Sequence, residues 1–483
     1  MIGRRKLLGN SLALLANRLG QSISAFVIVA LVARMLGAHA LGQYMLAFSF
    51  YFVVMTIVAQ GFKTLFTREM AKDSSRAGDY LVSGSVLQLG CAIVGYLVLI
   101  GIVAALPYSP DTSAICNLLG VMLIPYALSN VTESVFQAFD KMHFIALSTT
   151  PVYVLRVIGV WLALSSGAGL DRVCEIMVAS EVVVLLIEWL FVMRLVRPAR
   201  RVDGAFIGRV VAQARTLVAI EGMSVVRSRS QMFILSLMGG EVMVGLYGGI
   251  MQLLQPFLIA SHSLVASVFP SMAKASTIGV ERQRALTARI IETLLVVSIP
   301  FIVALMWVGD DLMVLVYDDP RFAAAALPLV IVGIGTVASS FNRALSFVLV
   351  ANGHENVNLR EVIISTFLGG ALSIWLVHQY GLMGAAISGP IVGLAACIQY
   401  SYAVHKRLFP INHLPLLVRP LLVGAAMFAL FAVLDHVHTH LWSTLAITGV
   451  AYGACLAWIL WRDTRRQPPA VAMPLVVKPG EAS

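Results

Sequence analysis

The chain has 483 residues, of which 59% are hydrophobic and only 12% are charged, and its formal net charge is +10. Soluble domains carry about 25% charged residues, so this composition excludes a water-soluble globule and predicts an integral membrane protein. The hydrophobic stretches are continuous rather than alternating, which favours spanning helices over a β-barrel. In such a protein a basic excess is typical of cytoplasmic loops, so we expect no nucleic-acid partner.

The first half of the chain contains six predicted spans. A membrane-spanning helix needs about 20 apolar residues, which leaves room for about 12 to 14 helices in a chain of this length. A retained first helix, without a cleavage site, follows a basic start. The six spans fall approximately at 11–36, 41–65, 81–105, 114–138, 143–165 and 173–195.

The second half repeats this arrangement and then extends it. Six further spans and an additional pair are predicted near 216–238, 245–271, 289–309, 324–350, 359–379 and 384–405, then 414–434 and 441–461. The sequence thus predicts an all-α polytopic membrane protein with five parts. These are an N-terminal six-helix lobe over 1–195, a basic cytoplasmic linker over 196–215, a C-terminal six-helix lobe over 216–406, two extra transmembrane helices over 407–462 and a disordered cytoplasmic tail over 463–483.

Loop charges predict the orientation. The gaps after odd-numbered spans carry little basic charge, whereas those after even-numbered spans contain Lys72, Lys141, Lys274 and Lys406. Because basic loops stay in the cytoplasm, fourteen spans with both termini cytoplasmic fit best. Twelve spans remain an alternative if the last pair is misread.

An internal repeat relates the two halves. The pattern Gly-x4-Gly-x-Tyr occurs at 37–44, in the joint between the first two spans, and again at 240–247. Further matches share an offset of 212 residues and are Asn130 with Asn342 and Gly169 with Gly381. Both copies start on the same side of the membrane, which predicts a parallel repeat with its substrate site between the halves.

These segments resemble the polysaccharide-transporter branch of the multidrug/oligosaccharidyl-lipid/polysaccharide exporter superfamily, which includes Wzx-type O-antigen and exopolysaccharide flippases. The segments that carry the resemblance are Ala-Arg-Met-Leu-Gly…Leu-Gly-Gln-Tyr (33–44), Gly-Phe-Lys-Thr-Leu-Phe-Thr-Arg-Glu-Met-Ala-Lys (61–72), Phe-Gln-Ala-Phe-Asp-Lys-Met (136–142), Val-Gly-Leu-Tyr (244–247) and Val-Phe-Pro-Ser-Met-Ala-Lys (268–274).

The resemblance implies two six-helix lobes around a central cavity with alternating access to the two leaflets. It implies that the substrate is an undecaprenyl-diphosphate-linked oligosaccharide, moved from the cytoplasmic to the periplasmic leaflet of a bacterial inner membrane. It suggests that the two extra C-terminal helices form a groove for the lipid tail. We expect a monomer that works without a cofactor, among membrane lipids, beside a polysaccharide polymerase and chain-length machinery.

Basic residues inside predicted spans are the main candidates for substrate binding. Ionisable groups at the centre of a membrane helix cost at least about 2.5–3.5 kcal/mol, so they default to functional positions. A guanidinium binds phosphate oxygens bidentately and stays charged, which suits a diphosphate headgroup. The candidates are Arg18, Arg156, Arg227, Arg229 and Arg343.

The acidic residues offer a second set of roles. Arg227 and Arg229 are two residues apart on one helix, so both cannot face the same cavity, and one is expected to pair with an acid. Glu181 and Glu188, seven residues apart on one helix face, are the natural partners. Glu133, Glu181 and Glu188 could instead take part in ion coupling. Structural ion pairs or snorkelling toward headgroups remain the alternative for the arginines.

Other chemistries are less well supported. The alternating histidines of 435–440 suggest zinc, but nothing else in the chain supports a metal site. A drug or metabolite antiporter of the same superfamily would favour acids in the first lobe, whereas the first span offers Arg18. An O-antigen polymerase or ligase usually has a large periplasmic loop, and the longest outer gap here, 309–323, is too short. We therefore predict a transporter and not an enzyme.

Overall fold

The computed structural model describes residues 4–199, 201–411, 413–437 and 441–465. Within these ranges the regular structure is helical throughout and contains no strand. The fourteen α-helices of the described chain are α1 (Arg4–Met55), α2 (Gly61–Lys72), α3 (Ala77–Ala105), α4 (Pro110–Gly120), α5 (Leu123–Ala138), α6 (His143–Ser165), α7 (Leu170–Leu195), α8 (Gly204–Met238), α9 (Gly240–Ile278), α10 (Val280–Tyr317), α11 (Ala326–Ala351), α12 (Glu355–Arg407), α13 (His413–His436) and α14 (Leu441–Arg465).

Ten helical stretches of the described chain are long and apolar enough to cross a membrane. Two of them, Asn17–Lys72 and Glu355–Arg407, contain a break. The first breaks at Gly37 (φ 82°, ψ 179°) and the second at Gly381 (φ 55°, ψ −127°). Glycine adopts positive φ without the steric cost of a Cβ atom, which explains why the helices break at these residues. Both breaks fall where the sequence predicts joints between spans. The protein is a multi-pass membrane protein, and the number of fourteen spans stays a prediction.

The predicted linker is helical over its second part. The helix α8 begins at Gly204, and the Asp203 carboxylate accepts a hydrogen bond from the Phe206 N–H at 3.1 Å. Phe206, Val210 and Ala214 recur every four residues, and all three are buried against side chains of α2, α3 and α5. An apolar stripe at this spacing fixes the start of α8 to the helices that precede it.

The last predicted segments of the chain are only partly described. The helix α14 continues through Arg465, so the first residues of the predicted tail are helical, and the rest of that tail lies outside the described residues. His438 and His440 of the histidine-rich loop also lie outside them. Among the described residues, no group of three or more potential metal ligands occurs.

The chain forms two compact units. Unit 1 consists of Met1–Ala260, Asp310–Thr336 and Asn358–Ala396. One aromatic-rich core of unit 1 joins α2, α3, α5 and α8, where Tyr80 packs edge-on against Phe206 with ring centroids 4.7 Å apart. Unit 1 holds every polar contact of the site described below.

Unit 2 consists of Ser261–Gly309, Val337–Val357 and the chain from Cys397 onward, as far as it is described. Trp307 of α10 stacks on Phe431 of α13, and the Tyr452 hydroxyl of α14 donates to the Val297 carbonyl at 2.7 Å. The last two helices are therefore anchored to α10. The lobe and linker boundaries read from the sequence stay a prediction.

Candidate functional site

The break at Gly37 is held by groups from the end of α10. Arg34 lies in the last turn before the break, and its Nε donates to the Val316 carbonyl at 2.7 Å. Its Nη2 also donates to the Leu315 carbonyl. The last carbonyls of a helix have no partner within the helix, so Arg34 caps α10 and places a positive charge where the helix dipole favours it.

The residue after the break is capped in turn. The helix restarts at Ala38, whose backbone N–H contributes to lowering the pKa of the Asp319 carboxyl. Arg321 pairs with the same carboxylate at 2.8 Å, and its hydrogen bond is the main cause that lowers the pKa of Asp319. A carboxylate at a helix N-terminus satisfies an orphan donor. Asp319 was not predicted as a functional residue, because its partner Ala38 is distant in sequence.

The two copies of the glycine motif pack directly against each other. A Cβ atom on Gly42 would lie 1.7 Å from the Glu241 carbonyl oxygen, and one on Gly245 would lie 2.1 Å from the Ala38 carbonyl oxygen. Real Cβ contacts are longer than 3.0 Å. The backbones of α1 and α9 therefore touch, and the second glycine of each motif is required by the contact. We call this contact the glycine joint.

A polar network accompanies the second copy of the motif. The Thr112 hydroxyl donates to the Glu241 carboxylate at 2.9 Å, and Gln43 Nε2 donates to Thr112 Oγ1 at 3.0 Å. At the start of α4, the Thr112 N–H donates to the Ser109 hydroxyl at 3.2 Å. Each copy is therefore held by an outer gap of the opposite half of the chain: the first by Asp319, the second by Thr112.

The structure pairs Arg156, the second predicted arginine, with an acid. Arg156 of α6 donates through Nη2 to Glu181 of α7 at 2.5 Å, and both side chains are 9% exposed. Its guanidinium also lies over the Tyr153 ring, 4.6 Å from the centroid. Arg156 Nε is buried and has no hydrogen-bond partner among the described residues. Glu181 thus neutralises Arg156 and not an arginine of α8.

The two arginines of α8 point in different directions. Arg229 is half-buried, and its guanidinium lies over the Phe52 ring of α1, 4.5 Å from the centroid. Arg227 is exposed, as is Arg18 of α1, and Arg343 of unit 2 is half-buried. In the part of the chain that the structure describes, none of these four arginines forms an ion pair.

The remaining predicted acids have separate surroundings. Glu133 of α5 pairs with Lys63 of α2, a residue the sequence did not single out, and both side chains are partly exposed. Glu188 of α7 is fully buried and accepts hydrogen bonds from the Thr132 and Ser148 hydroxyls. The three acids therefore lie in three different electrostatic environments.

Solved structures share this fold. The chain superposes on the lipid II flippase MurJ, in an inward closed conformation, with a TM-score of 0.72 and 14% identity over 94% of this chain and 100% of that chain. A multidrug resistance MATE family transporter of the MOP superfamily, in an inward-facing conformation, gives a TM-score of 0.67 and 15% identity over 80% and 95% of the two chains. A MOP superfamily transporter from Pyrococcus furiosus, whose binding pocket has reversed polarity, gives 0.57 and 13% over 83% and 96%.

These superpositions establish the fold, and all three proteins are transporters or flippases. No curated protein matches the chain. The family described as polysaccharide biosynthesis protein matches residues 7–276, which is more than half of the 483 residues. The chain therefore has the MOP-superfamily flippase and transporter fold and belongs to the polysaccharide biosynthesis protein family.

Proposed function

We propose that this protein flips an undecaprenyl-diphosphate-linked oligosaccharide from the cytoplasmic to the periplasmic leaflet of a bacterial inner membrane by alternating access. The product serves surface polysaccharide synthesis, as O-antigen of lipopolysaccharide or as exopolysaccharide. Both termini lie in the cytoplasm, and a polysaccharide polymerase with its chain-length machinery receives the product. Membership of the polysaccharide biosynthesis family and the MurJ-like fold support this function.

The observation that carries the proposal is the uncompensated positive charge on Arg227 and Arg229. Both lie within α8, and among the described residues neither has a carboxylate partner. Arg229 is half-buried, and an unpaired guanidinium in such surroundings is costly, so a ligand of opposite charge explains its presence. A diphosphate supplies that charge and accepts the paired N–H donors of arginine.

The aromatic contact of Arg229 adds a second recognition element. Its guanidinium stacks on Phe52, and the neighbouring rings of Phe50 and Phe233 are 4.8 Å apart. A stacked guanidinium keeps its edge N–H groups free to bind phosphate oxygens. Arg18 and Arg343 are further candidates for binding the headgroup. Arg156 is paired with Glu181, so a headgroup reaches it only by displacing that carboxylate.

The lipid tail has a candidate position of its own in unit 2. A cavity of about 290 Å³ lies between α13 and α14 and is lined mainly by apolar side chains, including Leu422, Met427, Leu430 and Tyr452. Hydrocarbon chains are favoured in such surroundings. This cavity supports the assignment of the last two helices to the tail of the substrate.

The experiment that tests the function uses the purified protein in vesicles that contain undecaprenyl-diphosphate-linked oligosaccharide. We expect the protein to move the oligosaccharide between leaflets, measured by its accessibility to an added glycosidase. Arg227→Glu and Arg229→Glu are expected to abolish the movement, and lysine at the same positions to restore part of it. Arg172→Glu is the matched control, because Arg172 is exposed and pairs only with Glu175 of its own helix turn.

A drug or metabolite antiporter of the same superfamily is the second candidate. The buried acid Glu188 and the MATE-like fold favour it, because exporters of organic cations use acids. Cationic dyes provide the discriminating assay in the same vesicles. Dye transport without movement of the oligosaccharide would replace the flippase proposal with this one.

A further inference from the structure

Glu188 places a carboxyl group deep in unit 1 without an ion-pair partner among the described residues. The residue is 0% exposed on α7. Its carboxylate oxygens accept hydrogen bonds from Thr132 Oγ1 at 2.6 Å and from Ser148 Oγ at 3.3 Å. None of the ion pairs in the described ranges includes Glu188. A buried carboxylate with only hydroxyl donors is strongly disfavoured unless a proton or another cation balances its charge.

Additional oxygen atoms surround the same carboxylate. The Thr132 hydroxyl also lies 2.7 Å from the Ser129 carbonyl, and the Ser148 hydroxyl lies 3.0 Å from the Ile145 carbonyl. The Ser129 side chain faces the Glu188 carboxylate and is 4% exposed. Ser129 is therefore a third hydroxyl that acts on this carboxylate. The pocket thus gathers three hydroxyl groups around one buried carboxyl group.

We propose that Glu188, Thr132, Ser148 and Ser129 form a binding site for one small cation, a proton or Na⁺. All the donors are oxygen atoms, which hard cations prefer, and they come from α5, α6 and α7 of one compact unit. The bound cation supplies the charge that the protein does not. Its role as the coupling ion of transport rests on the proposed function, whereas its binding does not.

Charged and titratable groups from neighbouring helices act on the site. Glu133 and Tyr126 of α5 and Lys63 of α2 act electrostatically on Glu188 or are acted on by it. The Lys63 and Glu133 side chains are 18% and 19% exposed, so these two charges remain partly accessible to solvent. The facing group from α6 is the Ser148 hydroxyl.

A second acid on the same helix provides an internal comparison. Glu181 lies two turns from Glu188, but its charge is already balanced by Arg156 of α6. Glu181 therefore needs no exogenous cation. This difference makes Glu188 the specific candidate, although both acids are buried on α7.

Binding is tested on the full-length purified protein in the absence of oligosaccharide. Infrared difference spectra are recorded while the pH is changed, and separately while NaCl replaces choline chloride. We expect a carboxyl signal that responds to one of the two cations, together with a change in the fluorescence of Trp189, the next residue on α7. Glu188→Gln should lose both signals, because the amide keeps the hydrogen bonds but not the charge.

Two further variants keep the test informative if Glu188→Gln does not fold. Ser148→Ala and Ser129→Ala each remove one oxygen ligand and leave the acid in place, so they should weaken cation binding without abolishing it. Glu175→Gln changes an exposed acid of α7 and should leave the signals unchanged. A wild-type protein that responds to neither cation would overturn the proposal, as would a folded Glu188→Gln that keeps the response.

The role in coupling is then measured in vesicles with a proton or Na⁺ gradient. We expect the gradient that matches the bound cation to accelerate oligosaccharide movement, and Glu188→Gln to lose that acceleration. Cation binding without any oligosaccharide movement would refute the flippase proposal alone. Oligosaccharide movement by a wild-type protein that binds no cation would refute the cation site alone.

Discussion

The two copies of the glycine motif are equal in spacing but unequal in their surroundings. The second glycines, Gly42 and Gly245, are alike, because each lies against a backbone carbonyl of the other copy. The first glycines differ: a Cβ on Gly37 would lie 2.7 Å from Arg321 Nη2, whereas nothing lies within 4 Å of one on Gly240. The shared spacing therefore preserves the backbone contact, and the side-chain surroundings have diverged.

The capping groups show the same divergence. The Ala38 N–H acts on the Asp319 carboxylate, which pairs with Arg321, while Glu241 in the second copy accepts a hydrogen bond from the neutral hydroxyl of Thr112. The joint lies at the predicted outer end of the spans. For a substrate to leave on that side by alternating access, these contacts must separate. The first copy should resist separation more strongly than the second.

The largest effect is expected at the second glycines. Gly42→Val and Gly245→Val force a side chain into a backbone carbonyl that cannot move aside, so we expect a loss of at least about 3 kcal/mol, or failure to fold. Thermal unfolding of the purified protein in detergent measures the change. A melting temperature that stays unchanged would show that the backbones are not in contact.

Alanine substitutions provide the matched control for this prediction. Gly90 lies within α3, and a Cβ there would have open space around it. Gly90→Ala should be neutral or stabilising by up to about 1 kcal/mol, because alanine is the better helix former. Gly42→Ala should instead destabilise, since even one methyl group would lie 1.7 Å from the Glu241 oxygen.

The next effect separates the first glycines from each other. Both have positive φ, 82° at Gly37 and 72° at Gly240, so alanine at either position costs about 1–2 kcal/mol in backbone strain. Gly37→Ala must also displace the Arg321 guanidinium and disturb its pair with Asp319. We therefore expect a larger decrease in melting temperature for Gly37→Ala than for Gly240→Ala. Equal decreases would show that the surroundings of the two copies do not matter.

The local pattern of the sequence was sufficient to locate this joint. The glycines at 37 and 381 that separate predicted spans are the positions where the helices break, because the need for positive φ is a property of a single residue. The positions of the apolar helices followed from hydropathy, which is a property of a continuous stretch of sequence. Asp319 could not be found in this way, since its partner Ala38 is distant in the chain and only the fold brings the two together.

Side-chain pairing between helices was equally beyond the sequence. Glu181 was expected to serve an arginine of α8, but the rotation of α6 and α7 places it on Arg156. Hydropathy gives no information about which way a helix is rotated about its axis. The same lack of information concealed the isolation of Glu188 and the contact of Lys63 with Glu133. The sequence therefore supplied a set of charged candidate residues, and the structure showed which of them form pairs.

A third prediction uses pH to test the charged cap. Arg321 lowers the pKa of Asp319 below its usual value of about 3.9. A group whose folded pKa is depressed stabilises the protein above its unfolded pKa, and that contribution is lost as the pH falls through the folded pKa. We expect Asp319→Asn to lower the melting temperature at neutral pH, and this effect to shrink as the pH falls below the usual pKa of an aspartate.

The control for this prediction is Asp111→Asn. Asp111 directly precedes Thr112, the residue that contacts the second copy of the motif. Asp111 is exposed in the first turn of α4 and forms no ion pair with the described residues. Its substitution should leave the melting temperature nearly unchanged at neutral and at acid pH. A difference between wild type and Asp319→Asn that persists unchanged in acid would contradict the electrostatic origin of the cap.

The smallest effect is expected at the neutral cap of the second copy. In Glu241→Gln the amide oxygen can still accept the Thr112 hydroxyl, so one neutral hydrogen bond replaces a charged one, and the expected loss is below about 1.5 kcal/mol. Melting temperatures measured beside Asp319→Asn decide the ranking. If Glu241→Gln is the more damaging of the two, the second copy is the stronger half of the joint. Separation at the outer end would then have to begin at Asp319 rather than at Glu241.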